Sequence, residues 1–330
     1  MPVISTLKQQ SIGNANTIGH LGSTLPIEIS NRVWQFLPLF DLIAYGNTSG
    51  VNRIHIQDFI RRATNDEIRI FFNDPQAFQG VLWQTRSVIS GSVALASLFP
   101  YQLRKWDPDD MDIYTTRKGF TRILNYVVTA GYKIVGQRTT RNTAYSGGSA
   151  IFEVVKLEDV RGRKLDIVVS NCITALAPVF EYYASHVVNC ITGHGIYSAY
   201  PYHTLVGRAI MNGPSAVAPF YAMSTVLQKC IVKYTRRGFT FQMNPVVALV
   251  APHVCGSAKY CPHTVRNVFD GGALVVAFNN TNASSPFLRN SMRKIWRPRM
   301  ANLWVFGGNA CNVDEGTDIT SPGFAAEVYL

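Results

Sequence analysis

Between Trp106 and Tyr114 lie Asp107, Asp109, Asp110 and Asp112, and only Met111 separates the last two. The run from Asp110 through Ile113-Tyr114-Thr115-Thr116 reads as the start of a strand. Side chains alternate across a strand, so Asp110 and Asp112 share one face while Met111 and Ile113 take the other. Like charges at that spacing repel and work against the strand. A bound divalent cation is the simplest way to make the arrangement favourable. The alternative is a solvated acidic turn or casual calcium site, against which the strand-like continuation argues.

Two flanking stretches give this run its context. Upstream, Ser87-Val88-Ile89-Ser90-Gly91-Ser92 is a short apolar strand ending in Gly-Ser, followed by a helix-like run from Val93 to Phe99. Glycine at 91 lets the backbone approach a phosphate closely, and the Ser92 hydroxyl is a donor for phosphate oxygens. Downstream, the strand Lys164–Val169 places Asp166 between Leu165 and Ile167. Aspartate is depleted in strands and seldom buried unpaired, so Asp166 is either an edge residue or a site residue. The other two carboxylates favour the site.

Gly-Ser, then Asp-x-Asp, then a lone strand aspartate resembles the signature of the nucleotidyltransferase superfamily, whose fold is that of DNA polymerase β. The resemblance covers roughly residues 75–242. The 17 residues between Ser92 and Asp110 form a longer spacer than the superfamily usually has. The resemblance implies that Asp110 and Asp112 hold two Mg²⁺ (or Mn²⁺) ions and that Asp166 shares a metal and helps deprotonate the acceptor. It further implies that Gly91 and Ser92 cradle the triphosphate of an NTP. The Lys-Tyr-x-x-Arg-Gly run from Lys233 to Gly238 is similar to phosphate-side helices of that superfamily, and is equally readable as a solvated basic helix end.

Ahead of this core, Pro26 suits a helix's first turn, and Ile29, Val33 and Leu37 recur at helical spacing before Pro38. Short helices from Asp41 and from Val51 follow. Leu25-Pro26-x-Glu28-Ile29, Leu37, Asp41-Leu42 and Val51-Asn52-Arg53 look like an F-box across residues 23–62. That resemblance implies a Skp1-type adaptor as partner. The alternative is a small helical subdomain that caps the next domain.

Charge separates the two halves. Residues 182–313 hold twelve Lys/Arg and one acid, Asp270, whereas the remainder balances at nineteen of each. The net charge of +11 therefore lies in the C-terminal half, which suits a polyanion such as a triphosphate or nucleic acid, or simply a soluble basic surface. Within it, Arg289–Arg299 interleaves cations with Trp296, either a single-strand platform or a core tryptophan ringed by solvated arginines. His253, Cys255, Cys261 and His263 have ligand types that suit zinc, without the spacing of a standard finger. Incidental histidines beside buried thiols are the alternative.

No apolar run approaches the roughly 20 residues that span a bilayer. Six sparse cysteines and no signal-peptide core point to reduced thiols in an intracellular protein, cytoplasmic or nuclear. The expected fold is α+β. A disordered tail (1–22) precedes a helical F-box-like module (23–70), a mixed-sheet nucleotidyltransferase core (71–242) and a basic extension (243–330). The expected function is metal-dependent nucleotidyl transfer to a hydroxyl of a protein, nucleic acid or small molecule. A non-catalytic adaptor and a nucleic-acid-binding protein are the rivals.

Overall fold

A computed structural model describes residues 25–139, 150–212, 221, 223–242, 264–268, 270–278, 303–305 and 323–324. The tail 1–22, residues 140–149, the His253–His263 cluster and the Arg289–Arg299 run lie outside the described residues.

Helices α1 (Ile27–Trp34), α2 (Leu39–Gly46) and α3 (Gly50–Arg69) open the chain. The helix expected from Val51 runs on to Arg69 as part of one 20-residue helix, because no Pro or Gly interrupts positions 51–69. Ser49 caps it, accepting from the Asn52 amide at 3.0 Å. Helix α4 (Pro75–Thr85) has Pro75 in its first turn and Asp74 as its cap, and it stops where Arg86 turns left-handed at φ 55°.

Eight strands follow in one mixed sheet, ordered β11-β7-β6-β1-β2-β5-β4-β3. They are β1 (Val88–Ser90), β2 (Asp110–Thr116), β3 (Lys133–Thr139), β4 (Ile151–Glu158), β5 (Lys164–Ser170), β6 (Asn189–Thr192), β7 (Gly195–Ser198) and β11 (Leu274–Ala277). Helix α5 (Gly91–Ala96) joins β1 towards β2, and α6 (Arg117–Thr129), capped by Thr116, joins β2 to β3. Among the described residues of this sheet only β2 and β5 run parallel, which the intervening helix and hairpin make feasible. Strand β3 is paired along β4 from Lys133, opposite Glu158, to Thr139, opposite Glu153. Past β7 come the parallel pair β8 (Arg208–Ile210) and β9 (Thr240–Gln242), with α9 (Thr225–Arg236) between them. Short helices α7 (Ala177–Phe180) and α8 (Pro201–Thr204) precede that pair. A separate small sheet holds β10 (Arg266–Asn267), β12 (Leu303–Val305) and β13 (Gly323–Phe324).

Alternation on β2 sorts the two sides of the sheet. Met111 and Ile113 are fully buried in the larger core with Leu165, Ile167 and Ile89, and residues from the segment Trp34–Leu98 join that cluster. Each such side chain contributes roughly 1.5–3 kcal/mol by leaving water. The other face of β2 carries Asp110 and Asp112 and continues into Tyr114, which packs with Val88, Val168 and Phe180 in a second cluster. The carboxylates therefore sit where an apolar face runs out at the strand's beginning. Cys190 and Cys230 are free thiols, and among the described residues no helix is long and apolar enough to cross a membrane.

Candidate active site

Register gathers the acidic residues. Asp112 pairs with Ser90 on β1 on one side and with Asp166 on β5 on the other. Asp110, two residues earlier, lies on the same face of β2 and is paired with Lys164. Gly-Ser follows Ser90 directly, so all five sequence-assigned residues meet at one corner of the sheet.

Gly91 shows how tightly that corner is built. Its φ of 64° is a conformation that side chains disfavour, and a Cβ there would stand 2.2 Å from Oδ2 of Asp112. Only glycine lets the chain turn into α5 with that carboxylate against it. Ser92 is buried, and its hydroxyl donates to the Asp110 carbonyl at 3.1 Å and reaches Asp110 Oδ1 at 3.4 Å. Sequence assigns Ser92 to a phosphate; here its hydroxyl is engaged with Asp110.

Electrostatics separates Asp112 from its neighbours. Burial pushes its carboxyl up to about 8, and the nearby Asp110 and Asp166 add to the rise. Lys233 and Lys156 pull the other way without reversing it. Lys156 lies opposite Asp166 in the β4–β5 hairpin and places Nζ 2.5 Å from its Oδ2. Lys233 on α9 sits 3.0 Å from Asp109 Oδ2 and 3.9 Å from Asp110 Oδ1. Just after α9, Arg237 donates to Asp109 Oδ2 at 2.9 Å and to the Asp107 carbonyl at 3.1 Å. Its guanidinium lies over Trp106, 4.4 Å from the ring centroid, and over Tyr234 at 5.1 Å. The spacer between α5 and β2 is thus tied to the basic helix.

Behind Asp112 the phenols of Tyr114 and Tyr182 hydrogen-bond to each other, and burial holds both well above the ordinary tyrosine range. They stay protonated and form a neutral wall. Ser90 Oγ donates to the Asn189 carbonyl at 2.6 Å, fixing β1 to β6 beside the site.

These side chains bear on a divalent ion in two ways. The backbone brings three carboxylates to one corner, and burial together with Asp110 and Asp166 raises the Asp112 carboxyl there. Yet among the described residues no three His, Cys, Asp or Glu side chains meet closely enough to hold an ion. Lys156 engages Asp166 and Lys233 draws near Asp110. The donor set fits Mg²⁺ or Mn²⁺ in type, and closing it requires these lysines to yield.

Lys156 is the site residue that sequence reading passes over. A signal existed: counting outward from the tight turn Asp159–Arg163 pairs Glu158 with Lys164 and hence Lys156 with Asp166. Comparison of this chain with family models, with curated proteins and with solved structures found no match.

Proposed function

We propose that this chain is a metal-dependent nucleotidyltransferase that moves a nucleotidyl group from an NTP to a hydroxyl acceptor. The observation that carries the reading is the corner where Asp112 lies between Ser90 and Asp166 in register, with Gly91 pressed against its carboxylate. A protein that only binds has no evident use for a partly buried aspartate crowded by two others.

In this reading Asp110 and Asp112 are the principal metal ligands and Asp166 shares an ion. Bound Mg²⁺ or Mn²⁺ supplies charge neutralisation at the triphosphate and aligns the attacking and leaving oxygens. The chain's own groups do the rest. Ser92 fixes Asp110 through its backbone carbonyl and carboxylate. Asp166, once released by Lys156, takes the proton of the acceptor hydroxyl. Lys233 turns from Asp109 and Asp110 towards the phosphates, while Arg237 stays stacked on Trp106 and holds the spacer. The glycine turn leaves room for a phosphate where any side chain would intrude.

The test is transfer of label from α-labelled NTP, with Mg²⁺ or Mn²⁺, to a panel of protein, RNA and polyol acceptors. Asp112→Asn is expected to lower transfer at least roughly a hundredfold, as loss of a ligand to the charge-neutralising ion should. Equal labelling by wild type and variant would end the proposal.

One observation favours an additional adaptor role. Leu25, Ile27, Ile29, Val33 and Phe36 remain exposed at the N-terminal helices, together with Val51 and Ile54. The stripe predicted from residues 29 and 33 faces outward, while Ser30 and Trp34 face in. An apolar face of this kind suits a Skp1-type partner. Ile29→Asp with Val33→Asp should abolish co-purification with Skp1 while leaving the melting temperature within a degree or two; unchanged co-purification would limit the helices to a cap.

A further inference from the structure

A row of residues in register crosses the sheet through the carboxylate corner. Gly136 on β3 stands opposite Lys156 on β4, Lys156 opposite Asp166 on β5, and Asp166 opposite Asp112 on β2. Side chains paired in this way project from one face of a sheet, so a cation is set beside the acids by the strands themselves. Lys156 Nζ lies 2.5 Å from Asp166 Oδ2. An ammonium and a divalent ion on the same carboxylate repel each other, so one displaces the other.

The other cations of the corner are placed differently. Lys233 is nearer to Asp109, at 3.0 Å, than to Asp110, at 3.9 Å, and Asp109 is not one of the three gathered carboxylates. Lys164 stands on the same face of β5, two residues before Asp166 and opposite Asp110. It is exposed, and among the described residues it forms no ion pair. Lys156 alone, among the described cations, is within hydrogen-bonding reach of Asp110, Asp112 or Asp166.

Its pair is one that can open. The Lys156 side chain is 50% exposed against 21% for Asp166, so the ammonium can move into water. An ion pair at that exposure contributes little, whereas a divalent ion gains from all three carboxylates. Gly136 leaves the lysine stem unhindered on its other side. A Cβ there would already lie 3.8 Å from Lys156 Cβ and 4.0 Å from its Cδ, and a longer side chain would pack along the stem.

On the reading that Asp166 is a metal ligand, we propose that Lys156 is its counter-ion in the metal-free protein and a positioning residue that sets how tightly the corner takes a divalent ion. The ammonium neutralises Asp166 until the ion displaces it. Only the fraction of molecules with Asp166 released binds the ion at full strength, so removing the ammonium should tighten binding about threefold to tenfold.

The experiment is titration of the metal-free full chain with Mn²⁺, following the free ion by electron paramagnetic resonance. Lys156→Met keeps an unbranched apolar stem at a half-exposed position and removes the charge; it should bind Mn²⁺ at least about threefold more tightly than wild type. Lys156→Arg can still pair with Asp166 and should stay within about twofold of wild type. Lys164→Met removes an equal charge from the same face without breaking a pair, and should tighten binding by less than about twofold. The proposal is overturned if Lys156→Met binds no more tightly than Lys164→Met, or if Lys156→Arg binds as Lys156→Met does; Mn²⁺ uptake by wild type would then leave the metal reading standing. If none of the four proteins takes up Mn²⁺, the metal reading fails and the role of Lys156 falls with it.

Discussion

Asp112 and Asp159 lie on the same side of the chain's midpoint, one in β2 and the other in the β4–β5 turn, yet their surroundings treat them in opposite ways. Burial works against ionisation at both. At Asp159 that effect is outweighed by Arg163 through its side chain and amide and by Arg161 likewise, and the carboxyl is held down to about 2. At Asp112 two further aspartates reinforce it, and the carboxyl is pushed up to about 8. A fold has an evident reason to keep the first arrangement, which closes a hairpin with charge-assisted hydrogen bonds. In the proposed reading a bound cation supplies the reason to keep the second, and the contrast between the two aspartates is what that reading rests on.

The sharpest way to break the contrast is substitution at the hairpin. Asp159→Ala leaves Arg163, whose side chain is 16% exposed, without its carboxylate, and removes the acceptor of two turn amides. A loss of about 3 kcal/mol is expected in denaturant unfolding, with no change in any metal response. A negligible loss would mean that the hairpin does not depend on its acid.

Gly91→Ala should have the next largest effect. The left-handed φ and the 2.2 Å approach to Asp112 both penalise a methyl group. The expected cost is about 2 kcal/mol, read by the same unfolding measurement. A fully stable variant would show that the corner is looser than described.

The pH dependence sharpens the comparison by its sign. The folded-state pKa of Asp112 stands above its usual 3.8, so its contribution to stability is full below about pH 4 and lost as pH rises through about 8. For Asp159 the folded pKa is depressed, so its contribution is present above the usual value and lost as pH falls through about 2. His186, buried and neutral with its pKa lowered to about 3, adds acid sensitivity below about pH 6.5. The clean measure is therefore a difference: in metal-free buffer the stability of Asp112→Asn relative to wild type should climb between pH 5 and 8.5. A flat difference would place Asp112 in an ordinary environment.

Local features of the fold were readable from sequence where a single residue decides them. Asp74-Pro75 starts α4, Ser224 caps α9, and the β4–β5 hairpin follows from two β-rich runs about a polar turn. The carboxylate corner was readable because Asp-x-Asp and a lone strand aspartate are costly patterns anywhere else. What sequence could not give depends on long-range placement. The Ile29/Val33 stripe has the spacing of a buried face but points outward, because Trp34 takes the core side. The Glu67–Arg104 pair joins residues 37 apart, and no local rule links them. Ser92 reads as a phosphate donor until its hydroxyl is seen against Asp110.

The central claim, that Asp112 is held in a strained charge cluster awaiting a cation, is tested most directly by thermal unfolding with Mn²⁺ and NTP. Wild type should gain stability with Mn²⁺, and more with Mn²⁺ plus NTP, by about 2.7 kcal/mol at a hundredfold excess over the dissociation constant. The gain should be greater at pH 8 than at pH 6, because the ion competes with the Asp112 proton. Asp112→Asn should match or exceed the metal-free wild type and gain nothing from Mn²⁺. If instead the variant is destabilised and wild type shows no response to metal and NTP, Asp112 is a structural residue and the enzyme reading is wrong.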